Sequence, residues 1–378
     1  MFLAEAEPAS TPALVYVFNA LKVLVAFGVI MQVIPGMIWL ERKMAAWIQL
    51  RDGPSKVGLP NWKILGPLAG WGMFGLLQPV ADILKLMLKE DFAPRRASKV
   101  LFFIAPALVF VPIALAFAVI PFGWGFEYEG HFIRYQIVSF DVGVLAALAC
   151  LSLAVHGLSL GGWASNNKYA QFGAVRAGAQ LISYEAAMFM VVLSMIMTYG
   201  TMNLQEMVVA QADTTAPGIW AIFDWGIFKQ PLAFIIFLVC IYAETNRLPF
   251  DFPEAEAELV AGYHTEYGSM KFGMFFLGEY YGMCIQAALV VTLFFGGWTL
   301  PGLDPKASGT ILASLAGPLI FCAKCGIFLW LYIQVRWTLP RFRFDQLMTL
   351  GWKKLIPLAL ANVVLTALVF NAITRKVV

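Results

Sequence analysis

Residues 75–90 read Gly75-Leu-Leu-Gln-Pro-Val-Ala-Asp-Ile-Leu-Lys-Leu-Met-Leu-Lys-Glu90. Gln78, Asp82, Lys85 and Lys89 recur at helical spacing, and Leu76, Leu77, Val80, Ile83, Leu84, Met87 and Leu88 fill the opposite face. A helix with one apolar and one charged face lies in a membrane interface rather than across the bilayer. The overlapping segment 64–81 carries no charge and is long enough to pass for a span, but it holds Pro67, Pro79 and several glycines. Whether it crosses the membrane sets the side of every later loop, so this stretch decides the topology.

Eight apolar runs approach the ~20 residues that a bilayer core of ~30 Å demands. They cover about 13–40, 100–120, 142–162, 177–199, 231–245, 272–298, 311–335 and 355–373. With these eight spans and 41–100 as one loop, the loops 41–100, 163–176, 247–271 and 336–354 hold 19 of the 26 Lys and Arg. The opposite side holds five: Arg134, Lys229, Lys306, Arg375 and Lys376. A ninth span at 64–81 would scatter this bias. The excess of basic residues on one side therefore predicts eight spans, large inside loops and both termini outside. The expected fold is an all-α integral membrane protein. It forms a single polytopic domain over 1–378, with an interfacial amphipathic helix at about 73–90 and an acidic inside loop at about 247–271.

Composition agrees with a bilayer as solvent. Apolar residues make up 60% of the chain, charged residues 13%, and the mean hydropathy is +0.75. Soluble domains carry about a quarter charged residues. A net charge of +3, arranged in patches, gives no footing for a nucleic-acid partner. The first dozen residues lack a basic start and an apolar run, so no secretory leader is expected. Cys322-Ala-Lys-Cys325 has the C-x-x-C spacing, but no second pair accompanies it, and His131, His156 and His264 are scattered. Packed thiols are the expected reading, with no metal site.

Ionisable side chains inside the runs are the first functional signal, because charge in a bilayer is costly. Glu185 and Glu279 each fall roughly 12 Å into their runs by helix rise. Glu244 ends the fifth run, three residues before Arg247, where a locally paired carboxylate is an equal alternative. The loop Arg247-Leu-Pro-Phe-Asp-Phe-Pro-Glu-Ala-Glu-Ala-Glu258 is the second signal. Asp251 with Glu254 resembles a capping box and Pro253 suits a first helical turn, which would put Glu254 and Glu258 on one face. Crowded, partly buried carboxylates titrate as a unit and hold a proton near neutral pH; a solvated acidic loop is the alternative. Arg336, Arg341 and Arg343 alternate with Trp337, Phe342 and Phe344, as interfacial anchors or as a docking face.

The stretch Gly75–Glu90 resembles the first signature of a membrane-subunit family of proton-pumping NADH:quinone oxidoreductase, respiratory complex I, whose mitochondrial member is subunit 1. Residues 243–258 are similar to the second. Glu41-Arg-Lys43, Gln49-Leu-Arg51 with Gly53-Pro54, Gly162–Tyr169, Ile182–Glu185, Phe275–Tyr280 and Pro340–Leu347 follow in family order along nearly the whole chain. Two departures stand out. Gly-Pro-Ser-Lys-Val-Gly replaces the usual Gly-Pro-Asn-Arg-Val-Gly after Asp52, and Leu59–Gly72 is an extra stretch beside the expected quinone entrance.

The resemblance implies a heel component of the membrane arm, in a bacterial inner membrane. Its partners would be membrane lipids and the other membrane-arm and hydrophilic-arm subunits. Quinone would be the substrate, reduced by electrons from flavin and iron–sulfur clusters on those partners. Arg42, Arg51, Asp82, Arg247 and Asp251 match positions near the quinone chamber. Glu185, Glu244, Glu254, Glu256, Glu258 and Glu279 match an acidic path for proton coupling. A heel component of a related membrane-bound hydrogenase or another quinone-linked oxidoreductase stays open. An ion/proton antiporter would also use buried carboxylates, but paired broken helices and an internal repeat are expected there, and no repeat is detectable.

Overall fold

Backbone in hydrocarbon must satisfy its own hydrogen bonds, so apolar runs of this length fold as helices. The computed structural model describes residues 13–58, 73–128, 131–212, 218–301 and 311–377. In chain order it forms α1 (Ala13–Ile48), α2 (Gln78–Leu88), α3 (Lys99–Phe117), the short strands β1 (Phe126–Tyr128) and β2 (His131–Ile133), α4 (Gly143–Ala164) and α5 (Lys168–Tyr199). There follow α6 (Leu204–Ala212), α7 (Gly226–Lys229), α8 (Pro231–Glu244), α9 (Glu256–Leu259), α10 (Ser269–Phe294), α11 (Ile311–Thr338), α12 (Phe344–Thr349) and α13 (Ile356–Val377). A π-turn, Leu350–Leu355, joins the last two.

Seven stretches among the described residues are long and apolar enough to cross a bilayer: α1, α3, α4, α5, α10, α11 and the run from α12 into α13. The eighth expected span is α8, a helix of 14 residues. At about 1.5 Å per residue it is roughly 21 Å long, shorter than the bilayer core. Pro231 opens it, and Asn246, with φ +49°, turns the chain away just past its end. The β1–β2 hairpin, with Phe126 opposite Ile133, is an addition to the all-α expectation.

Helices outrun the apolar stretches that announce them. α1 continues through Arg42 and Lys43 to Ile48, and α5 starts at Lys168, capped by the Asn167 side chain accepting from Tyr169 N at 2.9 Å. Helical hydrogen bonding does not stop where lipid does. α10 is the central element: 78% of its apolar window is buried, against 17% for α1 and for the C-terminal helix. Val109 of α3 locks the centre together. A Cβ on Gly157 of α4 or Gly278 of α10 would stand 2.6 and 2.7 Å from Val109 methyls. Small residues that let helices close up in this way are the usual device of membrane packing.

α2 has the expected interfacial character, preceded by the turn Met73–Gly75. Val80, Ile83, Leu84, Met87 and Leu88 are exposed. Its polar side is tied to α1 and α10. Arg42 pairs with Asp82 at 2.6 Å, Trp39 Nε1 donates to Phe74 O at 3.1 Å, and Ser269 Oγ donates to Leu86 O at 3.0 Å. The extra stretch Leu59–Gly72 lies outside the described residues.

Candidate functional site

The site begins at the end of α8 on the arginine-rich side. Gln180 of α5 holds the turn there: its Nε2 donates to Ala243 O at 2.8 Å, Asn246 Oδ1 at 3.2 Å and Phe250 O at 2.9 Å. That turn drives Arg247 into the protein, where it is 5% exposed. Its guanidinium pairs with Glu279 of α10 and with Glu41 of α1 (3.4 Å), and lies 4.5 Å from the Tyr280 ring. Glu41 also accepts from Tyr280 Oη at 2.5 Å and from Arg336 of α11. Burial opposes the charge on Arg247, but Glu279, Tyr280 and Glu41 more than offset it and hold it a cation. Arg336 lies two residues from the end of α11, so this knot stands level with the ends of neighbouring helices. α10 starts ten residues earlier, about 15 Å beyond it. The apolar length of α10 thus reflects cover by protein more than depth in lipid.

The acidic loop folds differently from the sequence expectation. No capping box forms at Asp251 and Glu254; the helix α9 starts at Glu256, after Ala255. The reason is apolar. Phe250 and Phe252 are buried and pack on Phe342 and Phe344, at ring separations of 5.4 and 5.2 Å. Phe342 N also donates to Pro249 O at 3.1 Å. Phe342 and Phe344 of the 336–354 loop therefore support the acidic loop. Asp251 pairs with Arg341 at 2.9 Å. Burial first, then the neighbouring Glu254 charge, push the Asp251 carboxyl up to about 7, although Arg341 pulls the other way.

Glu254 and Glu258 part company. Glu254 turns inward, accepts from Tyr263 Oη at 2.6 Å and lies 3.6 Å from His264 Nδ1. Gly262, φ +59°, makes this return possible, because a Cβ there would collide with Pro253 O. Burial, then Glu254, raise the Tyr263 hydroxyl above its ordinary range, so it stays a donor. Glu258 is about half exposed and pairs with Arg176 at 2.8 Å, whose guanidinium sits 4.3 Å from the Phe252 ring. The Glu256 side chain lies outside the described residues.

A cavity opens between Tyr263, Glu279 and Glu244. It offers about 50 Å³ to water centres, and Val109, Leu151, Leu181 and Phe275 form much of its wall. Glu244 Oε2 is buried and, among the described residues, has no hydrogen-bond partner. Beyond Glu244, and within electrostatic reach of it, Glu185 of α5 accepts from Ser152 of α4. His156 sits one turn along α4, its Nδ1 3.3 Å from Ser152 O. Titratable groups thus run from Asp251 through Glu254, Tyr263, Glu279 and the cavity to Glu244 and Glu185.

The other sequence-derived positions lie on α1, on α2 and just past α1. Arg42 and Asp82 form the α1–α2 pair, and Arg51 is exposed just past α1. Glu41, Arg336, Tyr263 and Tyr280 were not singled out as site residues. Glu41 sits in a basic patch that reads as anchorage, and nothing in the spacing shows that its carboxylate turns inward. Among the described residues, no group of His, Cys, Asp and Glu could hold a metal ion.

Comparison with known proteins bears on the whole of this path. A family model described as NADH dehydrogenase matches residues 21–367, which include every residue of it. An NADH-quinone oxidoreductase subunit of Geobacter metallireducens is 46% identical over 345 residues, covering 91% of this chain and 94% of that protein. NADH-quinone oxidoreductase subunit 8 of Rhodothermus marinus is 46% identical over 339 residues, covering 88% and 91%. An NADH-quinone oxidoreductase subunit of Bdellovibrio bacteriovorus is 42% identical over 384 residues, covering 93% and 95%.

Proposed function

The chain belongs to the NADH dehydrogenase family, and on that premise we propose that it is the multi-pass membrane component of NADH-quinone oxidoreductase that joins quinone reduction to proton movement. Its partners are the other subunits of that complex, which carry the flavin and iron–sulfur clusters, and its substrate is a quinone. The arginine-rich loops face the electron-donating partners, and both termini lie on the opposite side of the membrane. Quinone enters beside α1, α2 and α10, past Arg42, Arg51 and Asp82, toward Arg247 and Asp251.

Reduction of a quinone to a quinol takes up protons as well as electrons. Asp251, pushed up to about 7, is suited to hold such a proton at neutral pH. Loss of that proton places a new negative charge beside Glu254 and, through it, near Tyr263 and Glu279. Arg247 answers by holding Glu279 and Glu41 in place, so the disturbance travels along a fixed set of groups. Glu244 and Glu185 carry it toward neighbouring membrane subunits. One observation above all supports this reading: Tyr263, Glu279 and Glu244 share one cavity that begins at the acidic loop.

Glu185→Gln and Glu258→Gln in the intact complex test it. Quinone reductase activity, proton pumping or both are expected to fall, about tenfold at Glu185. The loss at Glu258 is expected to be smaller, because its ion pair is half exposed. Wild-type reduction and pumping in both variants would sink the assigned role.

A further inference from the structure

Gln286 lies on α10, two turns beyond Glu279, and is 0% exposed. Among the described residues, neither its Nε2 nor its Oε1 has a hydrogen-bond partner. Burying both ends of an amide unpaired is costly, and such groups usually meet water. The amide lines the cavity that also meets Glu244 and Glu279. One water needs roughly 10–15 Å³ of this kind of volume, so about 50 Å³ holds on the order of three or four. Polar partners for them converge there: the Gln286 amide, the bare Glu244 Oε2, Glu279, Asn246 and Tyr263.

We propose that Gln286 is a positioning residue that anchors the water joining Glu279 to Glu244. The inference rests on the proton-coupling role proposed above and adds to it a junction and its keeper. Glu279, Gly282 and Gln286 stand on one face of α10, at the i, i+3 and i+7 spacing of a helical stripe. Glu279 and Gln286 are roughly 10 Å apart along the axis. An amide presents a donor at one end and an acceptor at the other, so it orients water without binding the proton itself. A carboxylate in its place would trap the proton, and an aliphatic side chain would leave the water there one polar partner short. In the transfer, a proton that Glu279 has taken up from the acidic loop leaves its carboxyl for the nearest water, restoring the carboxylate beside Arg247, as the last water gives one to the Glu244 carboxylate. Each water loses one O–H bond and gains another, and no electron or other reactant is required.

The stripe also contains a position that tests the water without touching a titratable group. A Cβ on Gly282 would meet only Thr245 Cγ2, at 3.9 Å, so Gly282→Ala adds a methyl to the cavity without a clash. Gln286→Leu keeps the side-chain size and removes the amide, and Gln286→Asn keeps the amide. Proton translocation, NADH-quinone reductase activity and the solvent deuterium isotope effect are measured on the intact complex in proteoliposomes. Gln286→Leu and Gly282→Ala are each expected to lower proton translocation about tenfold and to raise the isotope effect, with Gln286→Asn recovering part of the loss. Wild-type translocation and isotope effect in Gly282→Ala, and in Gln286→Leu if it assembles, overturn the proposal. If Glu185→Gln loses pumping while both cavity variants are normal, this inference fails and the coupling role stands. If Glu185→Gln and Glu258→Gln are also normal, the coupling role fails with it.

Discussion

The two ends of α10 bury polar groups in opposite ways. At the far end, away from the arginine-rich loops, Gln211 and Lys324 are each held by several partners. Gln211 donates to Thr292 O at 2.8 Å and accepts from Gly226 N and Gly296 N at 3.2 and 3.1 Å. The Lys324 ammonium gives its three protons to the carbonyls of Phe295, Gly297 and Thr299 at 2.6–3.0 Å, and lies 4.5 Å from the Trp225 ring. There the donors of Lys324 and both ends of the Gln211 amide are matched by protein partners. The near half is open. Carboxylates gather there, a cavity separates them, and, among the described residues, neither Glu244 Oε2 nor the Gln286 amide, just past the midpoint of α10, has a protein partner. Saturated polar groups fix a structure, whereas unsaturated ones beside a cavity await water and protons.

The contrast breaks most easily at Arg247. Arg247→Leu would leave Glu279 buried without its cation, while Glu41 keeps Arg336 and Tyr280. Loss of one partner of a buried pair costs about 3–5 kcal/mol, so assembled, active complex is expected to disappear from membranes on a native gel. Full assembly of this variant would mean that the knot adds little to the fold. Lys324→Met makes the converse test at the far end. Three carbonyls lose their donor, at about 1–3 kcal/mol for each buried group left unpaired. Thermal stability and yield should fall, while activity per assembled complex and its proton-to-electron ratio stay at wild-type values. A pumping defect there would dissolve the distinction between the two ends.

A smaller effect is expected at Arg341, where pH provides the readout. Asp251 holds its proton up to about pH 7 in the folded protein, whereas an ordinary carboxyl loses it near 4. Between these values the native state binds more protons than the unfolded chain, so this group's contribution to stability falls as pH rises from about 4 to about 7. Arg341 opposes the upward shift. Arg341→Ala should therefore move the Asp251 titration further up and displace the pH profile of quinone reduction to the alkaline side, with about a two- to threefold change in rate at neutral pH. An unmoved profile would remove Asp251 from the proton path.

Much of the architecture was legible because lipid imposes it. Apolar length announced the long helices, and the two-faced pattern of residues 75–90 described α2. Glu185, Glu244 and Glu279 stood out as charges in apolar surroundings. What hydropathy does not encode was missed. It marks where a side chain meets lipid, not where a helix stops, so the starts of α5 and α10 were placed late. Asp251 and Glu254 have the spacing of a capping box, but burial of Phe250 and Phe252 outweighs a local cap worth about 1 kcal/mol. Glu41 reads as part of an anchoring patch until α10 and α11 bring Tyr280 and Arg336 to it. Gln286 is one neutral amide in an apolar run, and only packing shows that it is buried beside a cavity without protein partners among the described residues.

The central claim is that the near half of α10 carries protons between carboxylates, and Glu244 tests it most directly. Its Oε2 borders the cavity with no partner among the described residues, and glutamine there keeps the size while removing the exchangeable carboxyl. The decisive measurement is proton translocation against NADH-quinone reduction in proteoliposomes containing the intact complex with Glu244→Gln. The expected result is a fully assembled complex whose proton translocation falls about tenfold or more. Wild-type translocation and reduction rates in that variant would contradict the account.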